Sequence, residues 1–286
     1  MDTAGRLPDF VVIGAMKAAT TSLDLYLALH PQIHMARPKE PRFFVDEPPP
    51  AGRWGLGLDW YRSLFVSAKS LCGEASPAYA ASPSIPGVAA RMAATIPQAK
   101  IIYLVREPYG RIRSQFFMDF RKQRFEGNFR EYIENYPLAL DCSSYGRQYE
   151  EYLSFYSKER ILVVETAELE IQRQKTMSGI FRFLGVDDTF SSPIFFHKRH
   201  VGAMAPFPTP LGRKVISSAP MKAAKDILHG GAYYHLENLV LRFFAAPKPP
   251  TELPSDLEEQ VKERLRGEVA RLRSLSELAL RSLSIP

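Results

Sequence analysis

The sequence predicts an α/β protein, a parallel sheet covered by helices on both faces. Two observations carry this. Residues 9–14, 100–105 and 160–165 each hold a short continuous apolar run, the pattern of strands buried on both faces. Between them, through residue 185, lie segments with apolar residues at helical spacing, and that alternation is the order of βαβ units. Ligands of such sheets sit at the carboxyl ends of the strands. The loops after Ile13 and after Val105 occupy that edge.

The chain has 286 residues, which fits one large domain with embellishments. A core is expected over 9–200, a Pro-rich helical excursion over 201–254 and a docking helix over 255–284. The net charge of +6 fits either a solvated surface that carries more Arg than Glu or an anionic cofactor, acceptor or both. No dense Lys/Arg run or zinc-finger spacing points to nucleic acid. Two cysteines, Cys72 and Cys142, do not make a disulfide framework. No basic n-region precedes an apolar h-region, and no window reaches about 18 apolar residues. A cytoplasmic protein without a membrane span is the expectation.

In chain order, Asp9-Phe10-Val11-Val12-Ile13 breaks at Gly14, Lys17 follows, and Thr20-Thr21-Ser22 opens a helix that ends before Pro31. That is a strand, a phosphate-cradling loop and a helix start, where unpaired N–H groups and the helix dipole favour an anion. Arg37-Pro38-Lys39-Glu40-Pro41-Arg42-Phe43-Phe44 is a charged loop running into two aromatics, and residues 47–58 form a Pro- and Gly-rich excursion. Asp59 to Phe65 returns as a short aromatic helical segment. Leu71 to Glu74 reads as a strand end, followed by a turn at Ala75-Ser76-Pro77-Ala78-Tyr79.

Lys100 to Val105 is a buried strand that stops at Arg106-Glu107-Pro108, and Tyr109 to Arg121 a helix rich in Arg and Phe. Ser144 to Tyr156 is a further helix, Arg160 to Glu165 a strand, and Gln172 to Leu184 a helix closed by Gly185. Prolines break residues 201–254 into short pieces. Ser255 with Glu258 has the capping-box spacing, and Leu257, Val261, Leu265, Val269 and Leu272 share one helix face.

The first loop lacks Gly-x4-Gly-Lys-Ser/Thr, because its lysine precedes the hydroxyl cluster without touching it. Kinase or ATPase chemistry is weakened accordingly. Instead, Met16-Lys17-Ala18-Ala19-Thr20-Thr21-Ser22-Leu23 resembles the 5′-phosphosulfate loop of sulfotransferases that use 3′-phosphoadenosine 5′-phosphosulfate (PAPS). Ile101 to Ser114 resembles their 3′-phosphate motif. Pro38-Lys39-Glu40-Pro41-Arg42-Phe43-Phe44, Asp59-Trp60-Tyr61 and Gly73-Glu74-Ala75-Ser76-Pro77-Ala78-Tyr79 are similar to segments of the heparan sulfate N- and 3-O-sulfotransferases.

The resemblance implies a P-loop nucleoside-triphosphate-hydrolase-like sulfotransferase fold in a bacterial-type soluble member. It implies PAPS as donor, adenosine 3′,5′-bisphosphate as product and no metal. Cofactor-binding positions are then Lys17, Ala18, Ala19, Thr20, Thr21 and Ser22 at the 5′ end, with Arg106 and Ser114 on the 3′-phosphate. Glu40 carries over as catalytic base, with Lys17 beside the bond that breaks, and Lys198, Arg199 and His200 lie where the family has a basic loop over the nucleotide. A bare ion pair of Glu40 with Lys39 or Arg42 is the bland alternative for the carboxylate.

Three departures stand out. Alanine at position 19 replaces the family's glycine, so the backbone there should avoid positive φ. Arg42 stands for a histidine and Ala75 for a lysine of the active site. The expected partner is a hydroxyl-bearing acceptor, in preference to an amine, on a glycan, glycolipid or small natural product. Trp54, Trp60, Tyr61, Phe43 and Phe44 are candidates to line its cleft or to sit in the core. A divergent nucleotide-dependent kinase and a non-catalytic binder of anionic glycans are the alternative functions. His30 and His34 flank Pro31, which spoils a helical metal pair.

Overall fold

Five parallel strands form the central sheet in a computed structural model of the chain, which describes residues 5–122, 124–196, 207–227, 236 and 239–285. The strands are β1 (Phe10–Gly14), β2 (Ile33–Met35), β3 (Leu71–Ala75), β4 (Lys100–Val105) and β5 (Ile161–Glu165). Their order is β2-β3-β1-β4-β5. Phe10 pairs with Gly73 on one side and Lys100 on the other, and Val105 pairs with Glu165. All five residues of β1 are buried, as are the last five of β4, hence the lack of alternation in their sequence.

The strands are flanked by helices α1 (Thr20–Leu29), α2 (Gly57–Ser63), α3 (Val88–Thr95), α4 (Pro108–Arg121), α5 (Phe129–Asn135), α6 (Pro137–Asp141) and α7 (Tyr145–Leu153). Then come α8 (Thr166–Ile171) and α9 (Arg173–Leu184). Gly185 closes α9 at φ 84°, its N–H bonded to the Phe181 carbonyl at 2.8 Å, a left-handed cap that glycine adopts without Cβ strain. Beyond lie two-residue strands β6 (Phe207–Pro208) and β7 (Ala245–Ala246), short helices α10 (Pro210–Ile216) and α11 (Ala219–Ile227), and the long α12 (Ser255–Ser276).

The chain divides into two compact units. The first comprises residues 1–115, 133–197 and 253–286, the second 116–132 and 198–252. The first holds the sheet. Within it α12 packs on α7, burying Val261, Leu265, Val269 and Leu272. At the crossing, a Cβ on Gly146 would lie 2.8 Å from the Glu268 carbonyl oxygen, so glycine permits the approach. The capping box is absent, because Pro254 occupies the cap and no side chain bonds the first amides.

The second unit is held by aromatics. Phe116 packs against Phe120, Phe125, Phe129 and Tyr132, and the Tyr132 hydroxyl donates to Asp119 at 2.7 Å. Among the described residues no helix is long and apolar enough to cross a membrane.

Candidate active site

The loop after β1 is tied down through three successive carbonyls. Met16 O accepts from Arg111 Nη1 at 3.1 Å, Lys17 O from Arg106 Nη1 at 3.3 Å and Ala18 O from Thr166 Oγ1 at 3.1 Å. A planar peptide points its carbonyl and its amide in opposite directions, so the Lys17 and Ala19 amides face away from those donors. The amides of Ala19, Thr20 and Thr21 have no acceptor among the described residues, and no side chain caps α1. An uncapped helix start with turned-out amides is a fitting cradle for an anion. Thr20 is buried, Lys17 and Ser22 are half-buried, and Thr21 is exposed.

Ala19 corrects the sequence-based expectation. It is left-handed at φ 64°, and so is Lys17 at φ 68°. Each such residue costs about 1–3 kcal/mol, tolerated where surrounding bonds over-determine the backbone. Here the hydrogen bonds from Arg111, Arg106 and Thr166 do so.

Arg106 leaves the end of β4. Its amide donates to the Tyr145 hydroxyl at 3.3 Å, and that hydroxyl donates to the Arg106 carbonyl at 2.8 Å. Glu107 caps α4 by accepting from the Tyr109 amide at 2.7 Å and the Gly110 amide at 2.5 Å, a carboxylate favoured at a helix start. Ser114 follows in the second turn, half-buried. Arg111, between them, is fully buried. Among the described residues its guanidinium meets only neutral oxygens, those of Ser143 at 2.5 Å, Gln115 at 2.6 Å, Met16 and Ala139. A buried cation without a carboxylate leaves a positive charge behind the loop, which an anionic ligand would offset.

Glu40 lies on the loop after β2 and is itself left-handed, at φ 58°, as is Arg42 at φ 52°. Lys39 Nζ reaches its Oε1 at 2.9 Å and Arg42 Nη2 its Oε2 at 3.2 Å. Burial pushes the carboxyl up, but these two cations outweigh it and hold the group below its ordinary value. Asp24 on α1 is raised by burial, partly offset by Arg37 and Lys39, and the Glu40 charge adds to the rise. The Glu40 loop is therefore electrostatically coupled to the helix whose N-terminus forms the cradle. Arg53 supports it from below by donating to the Pro41 carbonyl at 2.7 Å.

Phe43, Phe44 and Tyr61 are buried, with Phe43 stacked on Tyr61 at 4.2 Å, so of the candidate cleft aromatics only Trp54 and Trp60 are even half-exposed. His30 is a core residue bonded to the Asp187 carbonyl at 3.0 Å, and His34 bonds the Leu64 carbonyl at 3.1 Å. Lys198, Arg199 and His200 lie outside the described residues.

Sequence reasoning did not single out Arg111, Thr166 or Glu74. Arg111 sits inside the 3′-phosphate segment, and Thr166 follows β5 at the same strand edge as the two loops, a position the strand-edge rule could have flagged. Glu74 lies in a segment quoted for its likeness but given no role.

The sulfotransferase domain family profile matches residues 7–194. The human bifunctional heparan sulfate N-deacetylase/N-sulfotransferase 2 is 28% identical over 210 residues, 64% of this chain and 22% of that protein. The membrane-associated sulfotransferase kil1 of Dictyostelium discoideum is 38% identical over 115 residues, 38% of this chain and 22% of that protein. The chain thus spans about a fifth of the length of these curated relatives. A sulfotransferase structure from Alicyclobacillus acidocaldarius superposes with a TM-score of 0.65 at 24% identity, covering 95% of this chain and 96% of that one. The likeness confirms the α/β sulfotransferase fold expected from the sequence. The chain belongs to the sulfotransferase domain family.

Proposed function

We propose that the chain moves the sulfuryl group of PAPS to a hydroxyl of a glycan, glycolipid or small natural product, with Glu40 as general base. Bound in the cradle, PAPS supplies an activated sulfuryl group whose leaving group is the 5′-phosphate of adenosine 3′,5′-bisphosphate. Lys17 and the amides of Ala19, Thr20 and Thr21 would hold the charge that grows on that phosphate, with Ala18 and Ser22 completing the loop. Arg106 and Ser114 would hold the 3′-phosphate, Arg as a planar fork of donors matched to its oxygens. Glu40, kept ionised by Lys39 and Arg42, would take the acceptor proton as sulfur is attacked. Most of the acceleration would be positioning and electrostatics, and the scheme needs no metal.

The observation that best supports this reading is the pair of carbonyl ties from Arg111 and Arg106, which link the loop expected at the 5′ end to the segment expected on the 3′-phosphate. The two buried free cysteines support a reducing, cytoplasmic setting. The test is incubation with ³⁵S-labelled PAPS and a panel holding fully desulfated heparan, a glycolipid fraction, phenols and amines. Label entering a hydroxyl-bearing product supports the proposal. Label on amines alone would replace the hydroxyl by nitrogen, and saccharide binding without any transfer would favour the non-catalytic glycan binder.

A further inference from the structure

Glu74, on β3, has a fully buried carboxyl whose partners are three hydroxyls. Tyr61 donates to Oε1 at 2.7 Å, Tyr79 donates to Oε1 at 2.9 Å, and Ser76 donates to Oε2 at 2.6 Å. Two of these hydroxyls continue onward. Ser76 Oγ accepts the Arg42 amide at 3.0 Å, and the Tyr79 oxygen accepts the Phe44 amide at 3.3 Å. Among the described residues the Tyr61 hydroxyl bonds Glu74 and goes no further.

A hydroxyl has one proton and two lone pairs. When Ser76 and Tyr79 give their protons to Glu74, their oxygens are left to accept, and each accepts one backbone amide of the Glu40 segment, Arg42 N–H and Phe44 N–H respectively. The amides belong to the segment that carries Glu40, in which Glu40 and Arg42 both adopt left-handed backbone. Such conformations persist only where neighbouring bonds fix them. The carboxyl thereby sets the direction of both relays, and both end on the strained segment.

We propose that Glu74 is a positioning residue for sulfuryl transfer. Through Ser76 and Tyr79 it holds residues 40–44 in the left-handed turn that presents the Glu40 carboxylate. The role rests on Glu40 acting as the base. It differs from an ordinary buried polar cluster in one respect, namely that the three hydrogen bonds to Glu74 are unequal in consequence.

Ser76→Ala, Tyr79→Phe and Tyr61→Phe each delete one hydroxyl bonded to Glu74, and the third is the control because its ring stays stacked on Phe43. Three readouts are taken on folded protein. They are NMR-resolved exchange of the Arg42 and Phe44 amides, calorimetric affinity for adenosine 3′,5′-bisphosphate, and kcat with labelled PAPS and a fully desulfated heparan oligosaccharide. We expect tenfold or faster exchange at Arg42 in Ser76→Ala and at Phe44 in Tyr79→Phe. In both, kcat should fall tenfold or more while nucleotide affinity stays within twofold, and Tyr61→Phe should leave exchange and kcat near wild type.

Equal effects of all three variants, or unchanged amide exchange in the first two, would overturn the role. A wild-type protein that transfers nothing counts against the donor and acceptor reading alone. The exchange measurement then decides the anchoring by itself.

Discussion

Arg106 Nη1 lies 3.3 Å from the carbonyl oxygen of Lys17, so the residue expected on the 3′-phosphate also shapes the loop expected at the 5′ end. If Arg106 also holds the 3′-phosphate, one side chain would have two duties, and its removal should show in nucleotide binding first. Arg106→Ala should weaken adenosine 3′,5′-bisphosphate binding about 10–100-fold, the range of a lost hydrogen bond to a charged group. Unchanged affinity by calorimetry would remove Arg106 from the site.

Glu40→Gln keeps the shape of the side chain and removes its basicity. It should lower kcat by roughly 10²–10⁴ and leave the affinity for adenosine 3′,5′-bisphosphate unchanged. A Gln variant with full turnover would reduce Glu40 to an ion-pair partner of Lys39 and Arg42.

The same ion pairs set a pH dependence. Burial alone would raise Glu40, but Lys39 and Arg42 hold it below its ordinary value, so the acid limb of kcat/KM should lie at lower pH than an unperturbed glutamate base would give. The contribution to stability has a matching sign: it is present above the unfolded value and lost as pH falls through the folded one. Lys39→Met and Arg42→Met should each move the Glu40 carboxyl upward in an NMR titration. A shift downward in either variant would contradict the electrostatic account.

Docking of α12 depends on Gly146. Gly146→Ala places a methyl against the Glu268 carbonyl and the Arg271 side chain. Such overpacking costs about 1–3 kcal/mol. Urea unfolding with an unchanged midpoint would mean that the two helices are not in close contact in solution.

How far the sequence could be read depended on how local each signal was. β4 and β5 were visible as apolar runs because burial on both faces leaves a continuous stretch. β2 was not, since Ile33-His34-Met35 is three residues long and holds a histidine, too short for any period to show. The phosphate loop was legible from Lys17 and the hydroxyls after it, but the backbone of Ala19 was not. Its left-handed geometry is enforced by Arg106, Arg111 and Thr166, each far away in the chain. Arg111 and Glu74 were opaque for the same reason, because what each holds in place lies far off in the chain. The capping box failed because Pro254 took the position that Ser255 was expected to fill.

In the proposed mechanism the loops after β1 and β4 form one site for a nucleotide with a 3′-phosphate. The direct measurement is the melting transition with adenosine 3′,5′-bisphosphate, compared with ATP and Mg²⁺. At a hundredfold excess over its dissociation constant a ligand stabilises by about 2.7 kcal/mol. A stabilisation of that size, rising with the logarithm of bisphosphate concentration, is expected, with little or none from ATP and Mg²⁺. Stabilisation by ATP and Mg²⁺ with none from the bisphosphate would contradict it.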